Sequence, residues 1–405
     1  MIQRESYLQK IRPFMHKDLV KVLSGIRRSG KSTLFKLIQQ ELLAQGIKPS
    51  QIYEINFESL SYVTASMMDV YRELIQFGQS QAGKSYIFLD EVQDLSEWER
   101  LVNSLRVDLD CDLYITGSNS KLLSGELATH LAGRYIEISV YPFSFQEVTE
   151  LSQDARPEMT RQELFQHYLL WGGMPFLYAN QLDAEASAAY LQDIFNSIVL
   201  KDIIARHSIR DVELFERILH YLMAQVGQPF SGASLAHYLK NEKRTLSQET
   251  LYNYIAYAQD ACLLHLAPRA DVIGKRMLQF QEKIYLADPG IRQAIYGHNQ
   301  RDINQILENI VYLELLRRGY KVSIGKAGSR EIDFVAESRN GRQYFQVAYL
   351  LADPTVVERE FSVLHTTPDS YPKFVLSLDT IDFSRDGVIH QNLIDFLIAP
   401  IYLEK

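Results

Sequence analysis

Eight residues, Gly25-Ile26-Arg27-Arg28-Ser29-Gly30-Lys31-Ser32, constrain this chain more than any other stretch. They match the phosphate-binding pattern G-x-x-x-x-G-K-[ST] at every fixed position. That pattern works only between a strand and a helix, and the flanks predict both. Leu19, Val20, Val22 and Leu23 form an apolar, β-branched run before it, and Thr33, Leu34, Leu37, Ile38, Leu42 and Leu43 follow at helical spacing. Successive backbone N–H groups and the helix N-terminus then offer an anion site to the β- and γ-phosphates of a nucleotide. Lys31 is expected to reach those phosphates as a point charge, and Ser32 to place its hydroxyl on Mg²⁺.

At 405 residues the chain has room for two to four domains. Its 46% apolar and 23% charged content is that of a globular protein rather than a disordered one. Net charge is −8, so no global basic field recruits nucleic acid, and any such site must be a local patch. Cys111 and Cys262 stand far apart, which argues against a disulfide framework or a cysteine zinc site and suits a reducing compartment. The first residues lack a secretory apolar region and no run is long enough to span a bilayer, so the expectation is a cytoplasmic protein with no membrane contact.

To about residue 150, strand candidates Leu19–Leu23, Ile52–Phe57, Tyr86–Leu89, Leu113–Thr116 and Ile136–Val140 alternate with helical patterns. This predicts an α/β core with a parallel sheet, 1–150, and a ligand site beyond the carboxyl ends of its strands. Mostly helical patterns then cover 151–210, broken by Gly172-Gly173-Met174-Pro175. From 211 to 295 three helices and two strands, Leu263–Ala267 and Ile284–Leu286, read as a winged helix. A second α/β unit, 296–405, opens with a long helix, Ile303–Arg318.

Tyr86-Ile87-Phe88-Leu89-Asp90-Glu91 is a buried-strand pattern that delivers two carboxylates to its tip. Asp90 is expected to hold Mg²⁺ through water, and Glu91 to orient or deprotonate the water that attacks the γ-phosphate. Leu113-Tyr114-Ile115-Thr116-Gly117-Ser118-Asn119 should lie beside that strand, with Ser118 or Asn119 bonding the γ-phosphate or the attacking water.

The phosphate loop, Leu89-Asp90-Glu91-Val92-Gln93 with Trp98, and Ile115-Thr116-Gly117-Ser118-Asn119 together resemble a prokaryotic family that joins an AAA-type ATPase to a C-terminal domain of unknown function. The resemblance implies an ATP- and Mg²⁺-dependent ATPase with a helical lid after the core. It implies further that Arg134 is an arginine finger reaching a neighbouring subunit's γ-phosphate, hence a homo-oligomer. Ile2-Gln3-Arg4-Glu5 resembles a motif that borders the nucleotide, which assigns Arg4 to the nucleotide site. Gly172-Gly173-Met174-Pro175 is similar to the lid motif whose proline, here Pro175, touches the adenine.

In the last unit, Glu308 on the long helix, Glu331 and Asp333 on one strand and Gln346 on the next resemble a restriction-endonuclease-like core. Gln346 stands where an active member has an acid and Ala348 where it has a lysine, so the expectation is a nuclease-like domain that does not cut. Arg317, Arg318, Lys321, Lys326 and Arg330 put five positive charges together, and Lys240, Lys243, Arg244, Arg269, Lys275, Arg276 and Lys283 lie around the winged helix. These patches point to DNA as a partner. The leading expectation is therefore an AAA-type ATPase acting on DNA. The alternatives are a nucleotide-gated protein switch and, less favoured, an ATP-controlled nuclease.

Overall fold

Strand β3, Ser85–Asp90, shows why the first sheet is a middle layer. All six residues are buried, with Tyr86 and Phe88 on one face and Ile87 and Leu89 on the other. Such a strand requires a helical layer on each side. One face packs on α1, Glu5–Ile11, and α2, Lys31–Ala44, through Leu8, Ile11, Leu34, Phe35 and Ile38. The other packs on α3, Met67–Gln79, and α4, Trp98–Asp108, through Val70, Leu74, Trp98 and Leu101. With β1, Val20–Ser24, β2, Ile52–Asn56, β4, Cys111–Gly117, and β5, Tyr135–Ser139, the sheet has the order β2-β3-β4-β1-β5. Every pairing is parallel.

The computed structural model describes residues 2–119, 133–155, 157–241, 246–272, 276–297, 302–367 and 369–400. It divides into one unit of Met1–Tyr141 with Asp260–Cys262 and a second of Pro142–Gln259 with Leu263–Lys405. The first therefore ends nearer 141 than the expected 150. Helix α5, Phe145–Ala155, starts from a reciprocal cap, in which Glu147 N–H donates to Ser144 Oγ and Ser144 N–H to Glu147 Oε2. Phe145 then packs on Phe165 and Tyr168 of α6, Arg161–Trp171, so this stretch belongs to the second unit.

The break at Gly172-Gly173 has a packing cause. Gly172 has φ 68°, and a Cβ on it would lie 1.9 Å from Asp288 Oδ1. Gly173 N–H donates to Asp288 Oδ2 at 2.7 Å, while Asp288 caps α12, Pro289–Tyr296, through Gly290 N–H. Pro175 opens α7, Pro175–Ala179, at a first-turn position where its missing N–H costs nothing. Helix α8, Ala184–Ser197, runs on into a π-helical stretch, Ile198–Ala205.

Helices α9, Val212–Ala224, α10, Gly232–Asn241, and α11, Gln248–Asp260, precede the hairpin of β6, Leu264–Asp271, and β7, Arg276–Leu286. The expected boundary at 295/296 is not a break in the sheet. β6 pairs in parallel with β8, Lys321–Ala327, so the hairpin joins β9, Arg330–Ser338, β10, Gly341–Val347, β11, Lys373–Ser377, and β12, Ile389–Asn392. The order is β12-β11-β10-β9-β8-β6-β7. Helices α13, Ile303–Arg317, and α14, Pro354–Leu364, pack on it, and α15, Leu393–Ile398, follows β12. Among the described residues no helix is long and apolar enough to cross a membrane.

Candidate nucleotide site

The loop between β1 and α2 is shaped by its glycines. Gly25 has φ 152°, and a Cβ there would lie 2.2 Å from the Val140 carbonyl oxygen, so no side chain fits. Gly30, φ 96°, caps α2 from the left-handed region and accepts the Leu34 N–H at 3.0 Å. Arg28 takes φ 68° between them, Ile26 is buried, and Arg27 is drawn outward to Glu58 at 2.7 Å. Thr33 is exposed in the first turn of α2.

Lys31 is buried at the start of α2. Its Nζ donates to Gly25 O at 3.0 Å and lies 3.5 Å from Glu91 Oε1. Asp90 ends β3; its Oδ1 accepts the Thr116 hydroxyl and its Oδ2 accepts Asn56 Nδ2 at 3.1 Å. Burial pushes the Asp90 carboxyl up, partly offset by the hydroxyls of Thr116 and Ser32 and the Lys31 charge. Glu91 sits at φ 53° with its N–H on Thr116 Oγ1 at 2.9 Å. Burial pushes Glu91 up as well, but Lys31, Gln93 and Arg27 outweigh it and leave the carboxyl below its usual range. The two adjacent carboxylates are thus shifted in opposite directions.

The parallel register places these groups together. Asn56 pairs with Asp90 and Leu89 with Ile115, so the tips of β2, β3 and β4 converge on the loop after β1. Ser118 is fully buried just past β4, and its Oγ lies 3.4 Å from Gln93 Nε2. Asn119 follows it, half-buried. Ser32 Oγ and Asp90 supply the hard oxygen donors that suit Mg²⁺, which takes one or two protein oxygens and fills its remaining positions with water and phosphate. Arg4, buried, donates to Ser29 O and Tyr141 O, both at 2.8 Å, and lies over the Tyr7 ring. It therefore braces the backbone of the phosphate loop. Arg134 is exposed just before β5, and its carbonyl accepts the Val20 N–H. Pro175 lies in the second unit.

Sequence reasoning missed Asn56, Thr116 and Gln93 as parts of this site. Thr116 and Gln93 lie inside the quoted motifs, and Asn56 at the end of the second strand carries a strand-tip position as its only signal.

In the second unit, Glu308, Glu331, Asp333, Gln346 and Ala348 line a cavity of about 860 Å³. Lys283, on the hairpin strand β7, lies 3.0 Å from Glu308, 2.9 Å from Glu331 and 3.9 Å from Asp333. Gln346 uses its Oε1 to accept the Asp333 N–H at 3.2 Å. Burial pushes Asp333 and Glu308 up, and the acids around Lys283 outweigh its own burial and hold it charged.

The expected basic face of five residues is not assembled. Arg317 is buried and donates to Pro142 O at 3.2 Å; Arg318 pairs with Glu314 at 2.8 Å and donates to Phe396 O at 2.7 Å. Both lie at the end of α13, where Glu314 and the carbonyls of Pro142, Phe396 and Ala399 draw them inward. Lys321 and Arg330 remain exposed and Lys326 partly so. Of the second group, Arg269 turns to Glu331 and Lys283 to the acid cluster, while Lys243, Arg244 and Lys275 fall outside the described residues.

Known proteins place the whole chain. Residues 17–149 match the family model described as an AAA domain, and residues 162–302 match a domain of unknown function, DUF8612. A protein of Haemophilus influenzae, described as uncharacterized, is 36% identical over 98% of this chain and 99% of its own length. This chain is a member of that family of AAA-type ATPases. A second relative, from Methanocaldococcus jannaschii and also described as uncharacterized, is 28% identical over 91% of this chain and 83% of its own. Among solved structures, the Walker-type ATPase of Pyrococcus abyssi aligns with a TM-score of 0.51 and 16% identity, covering 73% of this chain and 95% of that one. That likeness is one of fold.

Proposed function

We propose that this AAA-type ATPase hydrolyses ATP with Mg²⁺ at the tips of β1, β3 and β4, and that turnover drives a partner-binding second unit. The single observation that carries the reading is the convergence of Lys31, Asp90 and Glu91, with Lys31 Nζ 3.5 Å from Glu91 and the two acids held in opposite protonation tendencies. Loop amides from Gly25 to Thr33 and the Lys31 ammonium bind the phosphates. Ser32 and Asp90 would hold Mg²⁺, which when bound neutralises charge on the phosphate oxygens. Glu91, kept ionised, accepts the proton of the attacking water, and Ser118 or Asn119 orients the γ-phosphate.

Arg134 in this reading completes a neighbouring subunit's site. Arg134→Ala is expected to lower turnover about 10³-fold or more while ATP affinity stays within twofold. Mixing it with Lys31→Ala subunits should restore part of the activity, because each mutant supplies the part the other lacks. Turnover independent of protein concentration in a strictly monomeric enzyme would count against the trans role.

DNA is the proposed partner on the strength of exposed Lys321, Arg330 and Lys240. The helices before the hairpin support the winged-helix assignment, and α13-β8-β9-β10 with its acids supports the nuclease-like one. The inward pairing of Arg269, Lys283, Arg317 and Arg318 favours the second reading, a nucleotide-gated switch that docks a protein. Turnover measured with and without duplex DNA at several salt concentrations separates the two. Stimulation that fades steeply with salt supports DNA; none at low salt supports the protein switch. A nuclease is the least supported, since Gln346 and Ala348 stand where an acid and a lysine would be needed.

A further inference from the structure

We propose that Gln93 is a positioning residue that holds the general base Glu91 and ties it to the tip of β4. The inference rests on Glu91 acting as the base. It starts from the backbone: Glu91, at φ 53°, is pinned through its N–H to Thr116 Oγ1, and the single 3-10 turn Val92–Asp94 then brings the Gln93 side chain back over it. Gln93 Nε2 donates to Glu91 Oε2 at 2.5 Å and lies 3.4 Å from Ser118 Oγ. The other carboxylate oxygen, Oε1, faces Lys31 Nζ at 3.5 Å. One end of the base is therefore fixed by the phosphate-binding lysine and the other by an amide that also reaches β4.

The amide has one workable orientation. Turned over, its carbonyl oxygen would face the Glu91 carboxylate, acceptor against acceptor. In the orientation observed, Gln93 Oε1 is buried with no hydrogen-bond partner among the described residues. A buried acceptor left unpaired is unfavourable, and the pair of donor contacts from Nε2 offsets that cost here. Because Ser118 occupies the strand tip read as the γ-phosphate sensor, a shift of that tip is passed to the base through one side chain.

Gln93→Leu removes the donor and keeps the bulk. Expected are a fall in kcat of about 10- to 100-fold, ATP affinity within twofold of wild type, and no further fall when Gln93→Leu is added to Glu91→Gln. Gln93→Glu places a second carboxylate against the first and should lower kcat at least as far. A merely structural residue would lower kcat by the same factor in both backgrounds. Additive losses in the double variant overturn the inference, as does parallel loss of ATP affinity and thermal stability. Wild-type protein that binds ATP without turning it over would instead remove the ATPase reading beneath it.

Discussion

Glu91→Gln should leave ATP bound and lower kcat by about 10²- to 10⁴-fold, the usual contribution of a positioned general base. The substitution is close to isosteric. Its amide keeps a carbonyl oxygen for Gln93 Nε2, and the volume between Lys31 and the turn Val92–Asp94 is unchanged. What it loses is the capacity to take a proton and the negative charge opposite Lys31. With that charge gone, the Lys31 field falls wholly on the phosphates, so ATP affinity should hold or improve. Steady-state phosphate release and equilibrium titration with a fluorescent ATP analogue read the two effects separately. The pH dependence follows from the same geometry. With Glu91 as the proposed base, its carboxyl lying below its usual range, activity should be flat through neutral pH and fall only in acid. Unchanged kcat in the variant would remove Glu91 from the chemistry and leave the site a binding site.

The parallel core was legible because its central strands β1, β3 and β4 are short, largely apolar buried runs and alternation with helices admits few topologies. Lys31, Asp90 and Glu91 were legible for a related reason: each is fixed by local sequence, at a helix start or a strand tip. Asn56 and Thr116 were not, because their contacts with Asp90 arise from register between strands that are 34 and 26 residues apart in these pairs. The basic tract failed in the opposite way. Charge density along the chain is visible in sequence, but the direction of each side chain is set by what surrounds it. Arg317 and Arg318 meet Glu314 and the carbonyls of Pro142 and Phe396, and they turn inward. Lys283, expected on a nucleic-acid face, is buried because its hairpin strand lies over Glu308 and Glu331. Gly172 and Gly173 were legible as a break, whereas the cause, the Asp288 carboxylate, lies more than a hundred positions along the chain.

Lys21→Met should be among the most damaging single changes in the first unit. Lys21 is the second residue of β1, four positions before the phosphate loop, and its side chain is fully buried, as is that of Asp112 on β4. The two form a close ion pair, completed by Lys17 O at 2.9 Å from Nζ and by the Tyr114 hydroxyl and His16 N–H, each 2.8 Å from Asp112 Oδ2. Burial pulls the Lys21 pKa down, and the charge and hydrogen bond of Asp112 oppose that pull. Methionine fills the stem volume but leaves Asp112 as an uncompensated buried charge, which costs about 3–5 kcal/mol. For a unit of this size that corresponds to a fall in Tm of roughly 10 °C or more, read by thermal unfolding. Adding Asp112→Leu should return part of the loss, since an apolar pair can replace a buried ion pair; Tyr114 and His16, left without their acceptor, keep the recovery incomplete. Because β1 pairs with β4 at Lys21 and Tyr114 and carries the loop at its far end, saturating ATP should raise the Tm of the single variant by mass action. A single variant that loses less than about 1 kcal/mol would show that Asp112 is neutralised by some other route, and the pair would then be no anchor for the strand that presents the phosphate loop.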